Sequence, residues 1–131
     1  MTKLEEAQAF FAGDRFATEN GAVIDEIGAD YAVCSMKITP HHLNAAGRVM
    51  GGAVFMLADF AFAVASNFGH PADVTTTSQI TFLRASQGKM LYARSQEVRR
   101  GRTTVYYETS VTDDTGALIA RVTAAGQVLE A

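Results

Sequence analysis

Residues 49–65 read VMGGAVFMLADFAFAVA and form the most apolar stretch of the chain. Asp59 lies in the middle of this stretch and is the only charged residue between Arg48 and Asp73. A carboxylate removed from water costs several kcal/mol unless a partner compensates it, and no lysine or arginine lies within two helical turns of Asp59. The stretch therefore predicts a buried helix that carries an acid with a functional role at its centre.

The composition predicts one folded domain over residues 1–131, because 48% of the residues are hydrophobic and only 19% are charged. The formal charge of −3 argues against a general nucleic-acid binder, which would show a dense basic face. The single cysteine, Cys34, cannot form an intramolecular disulfide. Since the first residues also lack a secretory pattern, we expect a cytoplasmic protein. The apolar stretch falls short of the roughly 20 clean residues of a membrane span, so no membrane partner is expected.

The periodicity around the central helix, placed at about residues 51–68, predicts an α+β domain. Thr2 and Glu5 form a capping-box pattern that begins a short helix running to about Asp14. Six segments have the β-rich composition of strands: 22–27, 31–38, 74–82, 90–100, 103–112 and 118–129. A helix that is apolar almost all round must be covered on nearly every side. The simplest solution is a curved antiparallel sheet wrapped around the helix, and a second subunit can complete the cover.

The start of the central helix has the residue types that acyl transfer to water requires. Gly51 and Gly52 leave backbone N–H groups unshielded at the positive end of the helix dipole, where an oxyanion would be stabilised. Asn44 in the preceding loop can hydrogen-bond a substrate carbonyl or orient a water molecule. Asp59 can act as a general base or as a nucleophile. Together these groups predict hydrolysis of an acyl compound.

The spacing of these groups predicts an active site shared between two subunits. Gly51 and Asp59 are eight residues apart, which is roughly 12 Å along a helix. One chain cannot easily bring both groups to one carbonyl carbon. Two antiparallel helices related by a two-fold axis could do so, because each site would take the glycine end of one helix and the acid of the other.

The segment around the central helix resembles the signature of the hotdog-fold thioesterases, specifically the phenylacetate-degradation (PaaI-like) type of acyl-CoA thioesterase. That signature is approximately Asn, a short gap, Gly, two residues, His-Gly-Gly and then Phe-x-Leu-Ala-Asp. The chain matches it at Asn44, Gly47, Gly51, Gly52, Phe55, Leu57, Ala58 and Asp59. The likeness continues at 61–63, at 66–67 and in the strand at 79–84, and the order of elements agrees from about Gly21 onward.

The resemblance implies a hotdog fold and hydrolysis of acyl-CoA thioesters, with aryl-acyl or short- to medium-chain groups, to the free acid and coenzyme A. It also implies homodimers paired into homotetramers and no metal or cofactor. By position, Asp59 corresponds to the general base or nucleophile, Asn44 to the residue that binds the thioester or the attacking water, and the Gly51 N–H to the oxyanion donor. Asn44 and Gly51 would come from one subunit and Asp59 from its partner.

One departure from the signature is Met50, which occupies the place of the usual histidine before Gly51 and Gly52 in the substrate-binding segment. Methionine neither titrates nor donates a hydrogen bond. The main-chain donor at Gly51 does not depend on that side chain, so we expect activity to survive. A hydroxyl on the strand after the helix is expected in the site, with Thr75 or Thr77 as the candidates, although both also suit a half-exposed strand.

Three arginines are candidates for binding the phosphates of coenzyme A, because guanidinium groups suit phosphates: Arg84, Arg100 and Arg102. A solvated hairpin tip is the alternative interpretation of the last two. The histidines lack further ligands at zinc-site spacing, so no metal site is predicted. Two other functions stay open. One is a non-catalytic acyl-CoA binding protein, which Met50 favours, and the other is a hotdog hydratase or dehydratase acting on an enoyl thioester.

Overall fold

The computed structural model describes residues 1–129, and residues 130 and 131, the last two of the predicted single domain, lie outside the described residues. The elements within this range follow one another as α1 (Lys3–Phe11), α2 (Arg15–Glu19), β1 (Val23–Ile27), β2 (Tyr31–Lys37), a 3₁₀ turn (Pro40–His42), α3 (Gly51–Asn67), β3 (Asp73–Phe82), β4 (Met90–Arg100), β5 (Thr104–Asp113) and β6 (Leu118–Val128). The predicted central helix and all the predicted strands are present, with ends within about one residue of the prediction.

The strands form one six-stranded antiparallel sheet in the order β1-β2-β4-β5-β6-β3. Helix α3 packs mainly against β4, β2 and β5. Buried and exposed side chains alternate along the strands, as expected for a sheet that is covered on one face. On β4, for example, Leu91, Ala93 and Ser95 are buried, and Tyr92 and Arg94 between them are exposed. The predicted α+β architecture, an antiparallel sheet packed on a long central helix, is confirmed.

Helix α1 begins with the predicted capping box. The Glu5 N–H donates to the Thr2 hydroxyl at 3.1 Å, and the Thr2 N–H donates to the Glu5 carboxylate at 2.9 Å. The helix ends at Phe11 rather than near Asp14, and a second short helix, α2, follows it. Five residues are too few to show a helical period, so the sequence pattern did not reveal α2.

One side of α3 is left uncovered by the sheet of its own chain. The residues on this face recur at helical spacing and are only partly buried or exposed: Gly52, Met56, Asp59, Ala63 and Asn67. The prediction that Asp59 is buried is therefore wrong for the isolated chain. Its carboxylate points away from the sheet, because the opposite face of α3 holds the larger apolar side chains such as Leu57 and Val64.

Strand β3 forms one edge of the sheet, and eight of its ten residues are exposed. An edge strand presents unpaired N–H and C=O groups to its surroundings. Exposed apolar side chains also lie on or next to it, namely Val74, Phe82 and Leu83. None of the helices within residues 1–129 combines the length and apolarity needed to cross a bilayer.

Cys34 lies on β2 with none of its surface exposed, among the core residues under α3. Burial raises the pKa of its thiol, and the Asp25 carboxylate raises it further. Cys34 therefore fills the core, and its buried thiol, with a raised pKa, forms little thiolate.

Candidate active site

The first turn of α3 has two free backbone donors. The preceding Met50 is extended, with φ −67° and ψ 138°, and its N–H donates to the His42 carbonyl at 2.8 Å. The Met50 carbonyl accepts from the N–H groups of Ala53 and Val54 at 3.0 and 3.3 Å. The N–H groups of Gly51 and Gly52 donate no hydrogen bond within residues 1–129. They are therefore available to an oxygen placed off the helix end.

Gly51 allows the start of α3 to approach the end of β3. A Cβ atom added at Gly51 would lie 2.9 Å from Cζ of Phe82, whereas one added at Gly52 would meet nothing within 4 Å. The Phe82 side chain is 53% exposed, so its ring can move. The two glycines thus differ: Gly51 is held close to a neighbour, and Gly52 is open to solvent.

Asn44 is fixed by the loop in which it lies. Its Oδ1 accepts from the N–H groups of Ala46 and Arg48 at 3.0 and 3.1 Å, and its own N–H donates to the Arg48 carbonyl at 2.7 Å. Gly47 has a φ of +79°, a conformation that favours glycine. The Asn44 Nδ2 donates no hydrogen bond among the described residues, so this amide can donate to a ligand.

His42 supports the same loop from inside. It is 5% exposed, its Nδ1 accepts from the Thr39 N–H at 3.0 Å, and its Nε2 lies 2.6 Å from the Asn20 carbonyl. Both ring nitrogens are therefore engaged, with the proton on Nε2. In residues 1–129 no group of three His, Cys, Asp or Glu side chains is placed to hold a metal ion.

The Asp59 carboxylate lines a cleft of about 290 Å³ between α2 and α3, called here the α2–α3 cleft. Its walls include Phe16 and Ala17 from α2 and Met56, Phe60 and Ala63 from α3. These apolar surroundings raise the pKa of Asp59, and the Asp14 carboxylate, which lines the same cleft, raises it further. A carboxylate held this way is a stronger base than an ordinary one.

The contribution of α2 to this cleft was missed in the sequence. Asp14 and Phe16 are more than forty positions before Asp59, and no local pattern linked them to it. Phe16 is 77% exposed, which is unusual for a phenylalanine and could have suggested a binding role only after the fold was known.

The remaining predicted binding residues lie on the surface and are exposed: Met50, Thr75, Thr77, Arg84 and Arg102. Thr75 and Thr77 flank a bulge in β3, and Thr77 lies roughly 17 Å along the strand from Phe82, the neighbour of Gly51. A single chain therefore does not bring these threonines to the Gly51 donors.

Arg100 was predicted to bind a phosphate of coenzyme A, but its guanidinium makes hydrogen bonds inside the protein. Its Nε donates to the Glu97 carboxylate at 2.7 Å, and its Nη2 donates to the Tyr107 hydroxyl at 2.9 Å and to the Ser66 carbonyl at 3.1 Å. Burial raises the pKa of Tyr107 to about 12, so the phenol stays protonated. The guanidinium is committed to partners inside the protein, and the geometry does not support the phosphate role.

We expect Arg100→Gln to lower the free energy of unfolding by about 2 kcal/mol, because Glu97 and the Ser66 carbonyl would lose a charged donor. Urea unfolding of the two proteins measures this difference. Arg102→Gln is the matched control, since Arg102 is exposed at the hairpin tip, and its stability should stay within about 0.5 kcal/mol of the original. Equal stability of all three proteins would show that the network contributes little.

Comparison with known proteins shows the family to which the chain belongs. The family model described as the thioesterase superfamily matches residues 46–120. The acyl-coenzyme A thioesterase PaaI of Escherichia coli K12 is 33% identical over 108 residues, covering 82% of this chain and 77% of that protein. A relative from Archaeoglobus fulgidus is 38% identical over 100 residues, or 76% of this chain, but the match spans only 65% of that protein.

A solved structure of the PaaI protein from the E. coli phenylacetic acid degradation operon superposes with a TM-score of 0.91 at 28% identity, covering 98% of this chain and 94% of that one. The predicted hotdog fold is confirmed by this agreement together with the six-stranded sheet and its central helix.

Proposed function

Because the chain belongs to the thioesterase superfamily, we propose that it hydrolyses acyl-CoA thioesters to the free acid and coenzyme A. The observation that carries this proposal is the Asp59 carboxylate, which lines a ligand-sized cleft on a face of α3 that its own chain leaves open. The free N–H groups at the start of α3 supply the second element that thioester hydrolysis needs.

The reaction proceeds by addition of water to the thioester carbonyl. Asp59 accepts a proton from the water as its oxygen bonds to the carbonyl carbon. The carbonyl oxygen becomes an oxyanion and accepts the Gly51 N–H, while the Asn44 Nδ2 binds either the carbonyl or the attacking water. Collapse of the tetrahedral intermediate breaks the carbon–sulfur bond, and the departing thiolate takes the proton from Asp59. Direct attack by the carboxylate, followed by hydrolysis of the anhydride, is the alternative course.

The site is completed by a second copy of the chain. Gly51 and Asp59 lie roughly 12 Å apart along one helix, and neither the Gly51 N–H nor the Asp59 carboxylate has a hydrogen-bond partner within residues 1–129. A two-fold dimer that covers the open face of α3 and the exposed edge at β3 brings the Gly51 end of one helix to the Asp59 of the other. Homotetramer formation and the absence of any cofactor remain predictions from the resemblance, and a cytoplasmic location remains a prediction from the sequence.

The coenzyme A moiety is expected to lie outside the cleft, near exposed arginines. Arg84 and Arg102 remain free to bind its phosphates, since both side chains are exposed and neither donates a hydrogen bond within residues 1–129. Arg100 is left out of this set because its Nε and Nη2 already donate to groups inside the protein.

Free-thiol release from a panel of acyl-CoAs tests the proposed function. Release with a preference among aromatic and aliphatic acyl groups is the expected result. Tight binding of acyl-CoA without thiol release would instead identify the binding protein that Met50 favours. A change at the C2–C3 bond of an enoyl-CoA without thiol release would identify a hydratase.

Asn44→Asp is expected to lower kcat/KM by about 10- to 100-fold while leaving the melting temperature nearly unchanged. The new carboxylate keeps an oxygen for the N–H groups of Ala46 and Arg48, so the loop is retained, but the Nδ2 donor is lost. Kinetics and a thermal melt on the same sample measure both effects. Asn20→Asp is the control, because among the described residues the Asn20 side chain donates only to the Phe16 carbonyl. A large fall in melting temperature for Asn44→Asp would mean that the residue acts on the loop rather than on the substrate.

A further inference from the structure

If Asp59 acts on the thioester carbonyl, the acyl group of the substrate must lie next to Asp59. The carbonyl carbon must lie beside the Asp59 carboxylate, and the acyl group bonded to it must fill space continuous with that carboxylate. The α2–α3 cleft meets this condition, because Asp59 forms part of its wall. The rest of that wall is largely apolar and includes Phe16, Met56 and Ala63. Asp14 and Arg15 also line the cleft, and the apolar part of its wall suits an acyl chain or an aryl ring.

The inner end of this cleft is formed by Phe60. The ring of Phe60 is 3% exposed and stands edge-on to Phe11, with the ring centroids 6.4 Å apart. Phe60 also lines a second, largely apolar cleft of about 230 Å³, whose wall includes Phe11, Thr18, Ala22 and Ile24. The same side chain therefore belongs to both clefts.

We propose that the acyl group of the substrate occupies the α2–α3 cleft and that Phe60 sets the depth of this acyl pocket. The inference rests on the proposed function and adds to it the place of the acyl group and the residue that limits its length. In the single chain this cleft has a volume of about 290 Å³, near the lower end for ligand pockets. Phe16 and Ala17 lie outside residues 46–120, the part of the chain that the family model matches. The α2 side of the pocket is therefore not part of that match.

Ala63→Leu fills the cleft and tests its assignment. We expect kcat/KM for phenylacetyl-CoA and hexanoyl-CoA to fall by about 10-fold or more, and that for acetyl-CoA to change by less than about two-fold. Ala9→Leu, the same change at an exposed site on α1, should alter none of the three values. An equal fall for all three substrates, or no fall for any, would overturn the assignment.

Phe60→Leu shortens the inner wall and tests the depth. The change should raise kcat/KM for decanoyl-CoA relative to hexanoyl-CoA, by up to roughly four-fold for each additional methylene group that becomes buried in the deeper pocket. Phe62→Leu is the matched control, because Phe62 is buried on the same helix but packs against Tyr107 instead of the cleft. If the folded Phe60→Leu protein, checked by its thermal melt, kept the original chain-length profile, Phe60 would not set the depth.

Calorimetric binding separates failure of this pocket from failure of the proposed function. If no acyl-CoA is hydrolysed, tighter binding of phenylacetyl-CoA than of coenzyme A, lost in Ala63→Leu, would still establish the pocket while refuting hydrolysis. If hydrolysis occurs but Ala63→Leu leaves the acyl preference unchanged, the function stands and the pocket is wrong. Equal binding of phenylacetyl-CoA and coenzyme A, without hydrolysis, would refute both.

Discussion

Asp59→Asn is expected to fold normally and to lose about a thousand-fold in kcat/KM for thioester hydrolysis. The amide keeps the size of the carboxylate but can neither accept a proton from water nor attack the carbonyl. Steady-state thiol release measures the loss. Asp25→Asn is the matched control, because Asp25 is exposed on β1, away from the cleft, and should keep full activity. Full activity in Asp59→Asn would refute the proposed mechanism.

The raised pKa of Asp59 gives this prediction a pH dependence. As the pH falls through that pKa, which lies above the ordinary value of 3.8, the base becomes protonated and kcat/KM declines. A carboxyl whose pKa is raised on folding stabilises the protein only at low pH, and this contribution is lost as the pH rises through the folded-state pKa. At neutral pH the charged Asp59 therefore opposes folding, and Asp59→Asn should melt at the same temperature as the original or higher.

Gly51→Pro is expected to lower kcat by about 10²- to 10³-fold, whereas Gly51→Ala should lower it by less than about 10-fold. Proline removes the N–H that faces the oxyanion, and it is well tolerated at the first position of a helix. Met50, with ψ 138°, already has the extended conformation that a residue before proline adopts. Both replacements place a Cβ near Phe82, so their difference isolates the donor. Equal losses would assign the effect to that contact instead.

The same two variants test whether the site is shared. Asp59→Asn and Gly51→Pro chains, each nearly inactive alone, should regain about a quarter of the original activity when mixed and allowed to exchange subunits. Half of the dimers would then be mixed, and one of the two sites in each mixed dimer would contain both intact groups. No recovery from a mixture in which mixed dimers are shown to form would place both groups in one chain's site.

Most of the fold could be predicted from the sequence because its signals are local. The period-two strands and the apolar helix end where glycine, proline or a polar turn interrupts the pattern, as at Gly69 and at residues 113–116. The capping box of α1 needs only Thr2 and Glu5. These elements agree with the structure because no distant contact overrides their local preferences.

The parts of the site that depend on tertiary packing could not be predicted in this way. Arg100 has the sequence context of a hairpin-tip arginine, yet β5 brings Tyr107 to its guanidinium. Asp59 was expected to be buried because its neighbours in sequence are apolar, but burial depends on which face of α3 meets the sheet. The cleft beside it needs α2, which has too few residues to show a period.

Because its single cysteine is buried, this protein is well suited to the thiol-release assay that tests its proposed function. A disulfide dye that detects released coenzyme A would also react with any accessible protein thiol, but Cys34 is fully covered and its thiolate is suppressed. The folded enzyme should therefore contribute no background colour. A variant that reacts slowly with the dye in the absence of substrate must expose Cys34, which requires its core beneath α3 to open. The same assay therefore also measures whether each variant stays folded.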